Sequence, residues 1–204
     1  MGRIGLVLLV SLTVGSALAL LQGELPVRPG YLGVALMLVS ATVARSHWRR
    51  LDADAGPGSP ERALWHGLAT TALIAGQLVA SLWLAGPGMA LHSVAAHAMA
   101  VDTWTLVLGA ILSFRIARDP EPRSDERDTL FAARATRGAY GTLIAELCVA
   151  ILVLGFGAEL ELPAFSQPLI AHVLIVCLMI ASLVRCAVQL ALYDAARRAL
   201  RATP

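Results

Sequence analysis

Lysine is absent from the 204-residue chain, so arginine supplies all 16 basic side chains. Charge of either sign is scarce: 15% of residues are charged, and the formal net charge is only +2. A balance so near neutral removes the electrostatic basis of nucleic-acid binding, which neutralises many phosphates at once. Cysteine occurs at only three positions, Cys148, Cys177 and Cys186. None forms a Cys-x-x-Cys spacing and all lie in apolar runs, which argues for small buried hydrophobes and against a zinc or redox motif. Gly-x-Ser-x-Gly, His-Glu-x-x-His and a phosphate-cradling glycine loop are missing as well, so nothing points to an enzyme. No metal, haem or other cofactor is expected. His97 and Asp102 stand about 140° apart round a helix and do not share a face, and haem would need His97 and His172 to face each other from two helices.

Apolar residues fill the space that charge leaves, at 57% of the chain and a mean hydropathy of +0.71. Soluble domains carry about 45–50% apolar and about 25% charged residues, so lipid is the indicated solvent. A spanning helix needs roughly 20 apolar residues. Six stretches approach that, at 4–21, 31–48, 63–85, 92–114, 138–156 and 168–192, the second only if Ser46, His47 and Trp48 close it at the interface. The runs are continuous rather than alternating, which selects helices over barrel strands. The expected fold is all-α: one polytopic transmembrane bundle of six spans, or five if the first is a cleaved signal. Arg3, the apolar core from Ile4 to Val14 and Ala17-Leu-Ala19 do mimic a secretory leader.

Arginine reports the threading. Fourteen arginines fall in the loops 49–62 and 115–137, their flanks and the two chain ends; Arg28 lies alone in the opposite set of loops and Arg185 within a span. The positive-inside rule then places both termini in the cytoplasm, with the bundle in the inner (plasma) membrane of a bacterial cell. The short arginine-poor turns predict three antiparallel hairpins. Residues 51–60 read as a Pro/Gly linker, and Trp48, Trp65, Trp83 and His66 as interfacial. Two rows of small residues, Gly15/Ala19/Gly23 and Ala72/Gly76/Ala80, suit close helix packing or a dimer contact. Leu73-Ile-Ala with Val79-Ala recurs as Leu143-Ile-Ala with Val149-Ala at an offset of 70, a hint of internal repetition.

A charge near the centre of a spanning helix costs about 2.5–3.5 kcal/mol on insertion scales, so each one needs a reason. Glu146 lies roughly 13 Å along its helix from Arg137 and must be protonated or paired. Arg185 is the nearest candidate partner, extended by Gln189 one turn on. Toward the other face, Asp102 and His172 fall at similar depth and are expected to hydrogen-bond to each other. Before the fifth apolar run, Ser124 can cap a helix whose first turn holds Asp125, Glu126 and Asp128. Arg127, Arg134 and Arg137 follow at helical spacing, as expected of a helix lying against phosphate headgroups before it enters the bilayer.

Asp125-Glu-Arg-Asp128, Arg134-Ala135 and Leu183-Val-Arg-Cys-Ala-Val-Gln-Leu-Ala-Leu-Tyr193 together resemble uncharacterised, predicted prokaryotic membrane proteins that carry an Asp-Glu-Arg box before a C-terminal transmembrane hairpin. The resemblance covers about Ser124 to Arg198. It implies membrane location and a shared role for the box, with no activity attached. The expected function is that of a non-catalytic scaffold, regulator or subunit, acting in the lipid bilayer through helix packing, as a homodimer or with a membrane-protein partner. The alternative is a small proton- or ion-coupled transporter using Glu146 and the Asp102/His172 pair.

Overall fold

A computed structural model describes residues 2–22, 24, 26–50, 58–86, 89–90, 93–119, 125–156 and 165–202. The described residues form six helices and no strand: α1 (Gly2–Leu20), α2 (Pro29–Arg50), α3 (Ser59–Ala85), α4 (Val94–Ala117), α5 (Glu126–Phe156) and α6 (Gln167–Ala202). Five are long and apolar enough to cross a membrane, and α2 is not among them. Gly30, Gly33, Ser40, Thr42 and Arg45 dilute its apolar content. The linker residues 51–57, the turn residues 87–88 and 157–164, Gly23, His92 and Ser124 lie outside the described residues.

The helices overrun the apolar stretches. At a rise of about 1.5 Å per residue, the 31 residues of α5 and the 36 of α6 extend well beyond a hydrocarbon core of about 30 Å. α5 runs from Glu126 through Arg137 and Gly138 without interruption. The segment expected to lie flat within the 115–137 loop is therefore the first three turns of the spanning helix itself. Its start is a reciprocal cap: Asp125 Oδ1 accepts from the Asp128 N–H at 2.8 Å, and Asp128 Oδ2 from the Asp125 N–H at 3.0 Å. Two donors that a helix start leaves without partners are satisfied at once, with Asp125 in the capping place rather than Ser124.

α3 is the central helix and the most buried of the spans, 56% of its apolar window against 6% for α5. It packs against α1, α4 and α6; α2 lies mainly on α4, and α5 on α6. The α3/α4 and α5/α6 hairpins form as the turns predict. By contrast α1 and α2 touch little, and each runs parallel to its own partner, α1 beside α3 and α2 beside α4. Glycine explains the departure. A Cβ at Gly15 would collide with the Leu73 carbonyl oxygen, and one at Gly76 with the Leu12 carbonyl oxygen, so the α1 and α3 backbones meet directly. Ser16 adds a hydrogen bond to the Gly76 carbonyl at 3.2 Å. Where lipid tails offer no hydrophobic drive for association, such close approach supplies it by dispersion.

Three apolar clusters flank this contact. Leu18, Met37, Leu73, Ile74 and Leu106 join α1 to α4; Leu64, Leu68, Cys186, Leu190 and Tyr193 join α3 to α6; Leu78, Ala96 and Met99 join α3 to α4. The Leu-Ile-Ala part of the internal repeat has no structural counterpart in its surroundings. Leu73 and Ile74 are buried in the centre, whereas Leu143 is half-buried and Ile144 exposed on α5; Val79 and Val149 do match, both exposed.

Gly76→Leu should lower the unfolding midpoint in detergent, at an overpacking cost of about 1–3 kcal/mol. Gly5→Leu, on the same seam's open end with nothing within 4 Å of the added carbon, should leave it unchanged. Because α1 walls two of the clusters, the mature chain should retain it; an intact mass beginning after Ala19 would show otherwise.

Candidate functional site

Buried polar groups between the helices are the places where function can sit, because each must be satisfied or kept for a purpose. Asp102, 3% exposed, projects from α4 onto the start of α2. It accepts from the backbone N–H of Gly30 and from Gln22 Nε2 at 3.4 Å, with Arg28 adding its charge nearby. The carboxylate thus serves the positive end of the α2 dipole. Glycine at position 30 permits this close approach, since a Cβ there would stand 2.9 Å from Asp102 Oδ1 and 3.1 Å from its Cα. The expected Asp102–His172 bond does not form. α4 and α6 are both neighbours of α3 and make no packed pair of their own. His172 Nδ1 instead lies 2.6 Å from the Pro168 carbonyl oxygen of its own helix, and His97 is exposed. Among the described residues no three His, Cys, Asp or Glu groups converge as metal ligands.

Along α3 two buried polar side chains, His66 and Gln77, pair with α4. His66 Nε2 meets Ser113 Oγ at 2.9 Å, and its ring stands edge-on to Phe114. His66 is therefore a buried helix-joining group. Deeper in, Thr103 Oγ1 donates to Gln77 Oε1 at 3.2 Å, and Gln77 Nε2 to Ser81 Oγ at 3.1 Å.

The arginine-rich end of the bundle holds a second knot, which joins α3, α5 and α6. Glu61 is almost fully buried in the first turn of α3, and Arg197 Nη1 lies 2.9 Å from each of its carboxylate oxygens. Trp65 Nε1 donates to the same carboxylate at 3.3 Å. Alongside, the Tyr193 hydroxyl donates to Asp128 Oδ1 at 2.5 Å, while Phe131 stands edge-on to the Tyr193 ring. Gln189, buried one turn before Tyr193, hydrogen-bonds that hydroxyl too. The Asp-Glu-Arg box and the Leu183–Tyr193 stretch thus meet in space through Asp128. Glu126 is exposed in the first turn, and Arg127 lies 3.7 Å from Asp125.

No protein-family model, curated protein or solved structure matches the chain. Roles must therefore be read from geometry.

Glu146, itself half-buried, carries the one covered side-chain oxygen left without satisfaction among the described residues: its Oε2 has no hydrogen-bond partner. The Glu146–Arg185 pair expected from the sequence is absent, and the register explains why. The antiparallel seam that sets Asp128 against Tyr193 brings Glu146 opposite Cys177, whose thiol lies within its electrostatic reach. Arg185 is eight residues further along α6, about 12 Å away at helical rise, and exposed. Gln189 is likewise engaged elsewhere, with Tyr193.

Glu61, Tyr193 and Arg197 were not legible as site residues. Pro60-Glu61 at a helix start reads as a solvated first turn, and only tertiary packing brings Arg197 over it. Breaking a buried ion pair from one side leaves an uncompensated charge, worth about 3–5 kcal/mol when both partners are buried. Arg197 is 44% exposed, which reduces the figure. Arg197→Ala should therefore destabilise by about 2–3 kcal/mol, and adding Glu61→Gln should restore part of the loss. Tyr193→Phe should cost about 1–2 kcal/mol. Unfolding of the purified protein in mixed micelles measures all three.

Proposed function

We propose that the chain is a multi-pass protein of the cytoplasmic membrane, with six spans and both termini on the arginine-rich cytoplasmic side. It acts without catalysis, as a scaffold or subunit that associates with a second copy of itself through α5. The observation that carries this reading is the outward stripe of α5. Gly141, Ala145 and Cys148 recur at i, i+4 and i+7, all exposed, and nothing lies within 4 Å of a Cβ built on Gly141. This is the small-residue spacing that draws helices together in lipid, on the least buried span of the bundle. A two-fold contact is self-complementary, so one such stripe is sufficient for both copies. The meeting of Asp128 with Tyr193 supports a shared role for the two stretches that carry the family resemblance: they lock α5 onto α6 and so hold the outward stripe in place.

Cys148 is a built-in probe of this contact. Mild oxidation of native membranes should give a disulfide-linked dimer, abolished by Cys148→Ser and strongly reduced by Gly141→Leu. Monomer alone at full oxidation, or an adduct with a different protein, would reject self-association.

A second reading, proton-coupled transport, draws on the unpartnered oxygen of Glu146. An ionisable group alone in an apolar seam is a proton-exchanging group by chemistry. Its proposed helpers Asp102 and His172 stand in separate bonds, which leaves Glu146 to work alone. Reconstituted vesicles decide it: Glu146→Gln should abolish proton flux if the reading holds, and flux that survives the substitution removes Glu146 from any mechanism.

A further inference from the structure

A cavity of about 910 Å³ opens between the C-terminal ends of α2 and α4 and the N-terminal end of α3. Five arginines line it, Arg45 and Arg49 from α2, Arg62 from α3, Arg115 from α4 and Arg118 just beyond it, against a single carboxylate, Asp119. Arg62 lies 3.7 Å from Asp119, and its guanidinium stands 5.8 Å over the Trp48 ring. Arg45 Nη1 donates to the Ile116 carbonyl at 3.0 Å. Arg49, Arg115 and Arg118 are exposed, and their guanidinium groups have no ion pair or hydrogen bond among the described residues. The inner wall is apolar and aromatic, with Ile111, Phe114 and Trp48.

The positive-inside rule explains why arginines lie at this end of the bundle but not why five converge on one hollow. The opposite corner of the same end offers a comparison. There Arg197 is matched by Glu61, Arg198 by Asp194 and Arg127 by Asp125. At the cavity five arginines face one carboxylate, Asp119, among the described residues, an arrangement that an anion relieves. Guanidinium forks match phosphate oxygens in pairs, and an apolar wall behind them suits a ligand with a greasy stem. The volume lies within the range of about 300–1,000 Å³ usual for small-molecule sites. Basic pockets between spans on the cytoplasmic side are known places for anionic headgroups.

We propose that this cavity binds a phosphate group, either the headgroup of an anionic phospholipid or the phosphate of a free small molecule. Binding is independent of whether α5 self-associates. The experiment uses the full chain in non-ionic detergent, read by native mass spectrometry and by the unfolding midpoint, with three additions: phosphatidylglycerol, phosphatidylcholine and inorganic phosphate. A retained phosphatidylglycerol adduct without a phosphatidylcholine adduct assigns the site to lipid. Stabilisation by millimolar inorganic phosphate, with no lipid preference, assigns it to a free phosphate. In either case Arg49→Gln/Arg115→Gln/Arg118→Gln should weaken binding at least tenfold. Arg198→Gln/Arg201→Gln, at the opposite corner, should change it less than twofold. Absence of binding in all arms, or equal loss in the two variants, overturns the proposal. Because the three substituted arginines are exposed, an unchanged α-helical circular dichroism spectrum verifies that the variant is folded; if it is not, Arg115→Gln alone, with a proportionally smaller weakening, replaces it.

Discussion

Everything in the bundle depends on how closely α1 approaches α3. In lipid the apolar side chains of two helices gain nothing by leaving one environment for an identical one, so association rests on contact distance. Gly15 and Gly76 remove the two carbons that would hold the backbones apart. With α1 seated there, α3 is enclosed on three sides and becomes the axis to which α4 and α6 attach. Three polar side chains of α3, Glu61, His66 and Gln77, find partners across these seams.

From that axis the molecule divides into two halves of different character. On the α2/α4 side, Asp102 holds the start of α2, and the arginine ends of three helices surround a hollow with one carboxylate, Asp119, among the described residues. On the α5/α6 side, three arginines, Arg127, Arg197 and Arg198, each have a carboxylate partner, and α5 extends outward as an apolar, little-buried helix. The first half is suited to an anionic ligand and the second to another helix. Among the described residues neither half gathers ligands round a metal.

Much of the architecture was legible in the sequence because its cause is local. Continuous apolar runs of the right length identify spanning helices whatever surrounds them, and the small-residue row Ala72/Gly76/Ala80 marks a close crossing. The residues of the polar sites were less legible. Apolar run lengths set Asp102 and His172 at similar depth, yet depth says nothing of which side of α3 a helix occupies, and each finds a different partner. Glu146 and Arg185 lie on adjacent helices, yet a register about 12 Å out separates them.

What the sequence by itself determined is the solvent and the sorting of charge: helices that satisfy their own backbone bonds in oil, with arginine confined almost wholly to one set of loops. Only the tertiary structure decided which helices are neighbours, which carboxylate meets which cation, and that the same Leu-Ile-Ala string is core in α3 and surface in α5. The physical reason is that an apolar side chain suits lipid and protein equally well. Burial in a membrane bundle is therefore settled by backbone approach and interhelical hydrogen bonds, and both are properties of pairs of segments far apart in the chain.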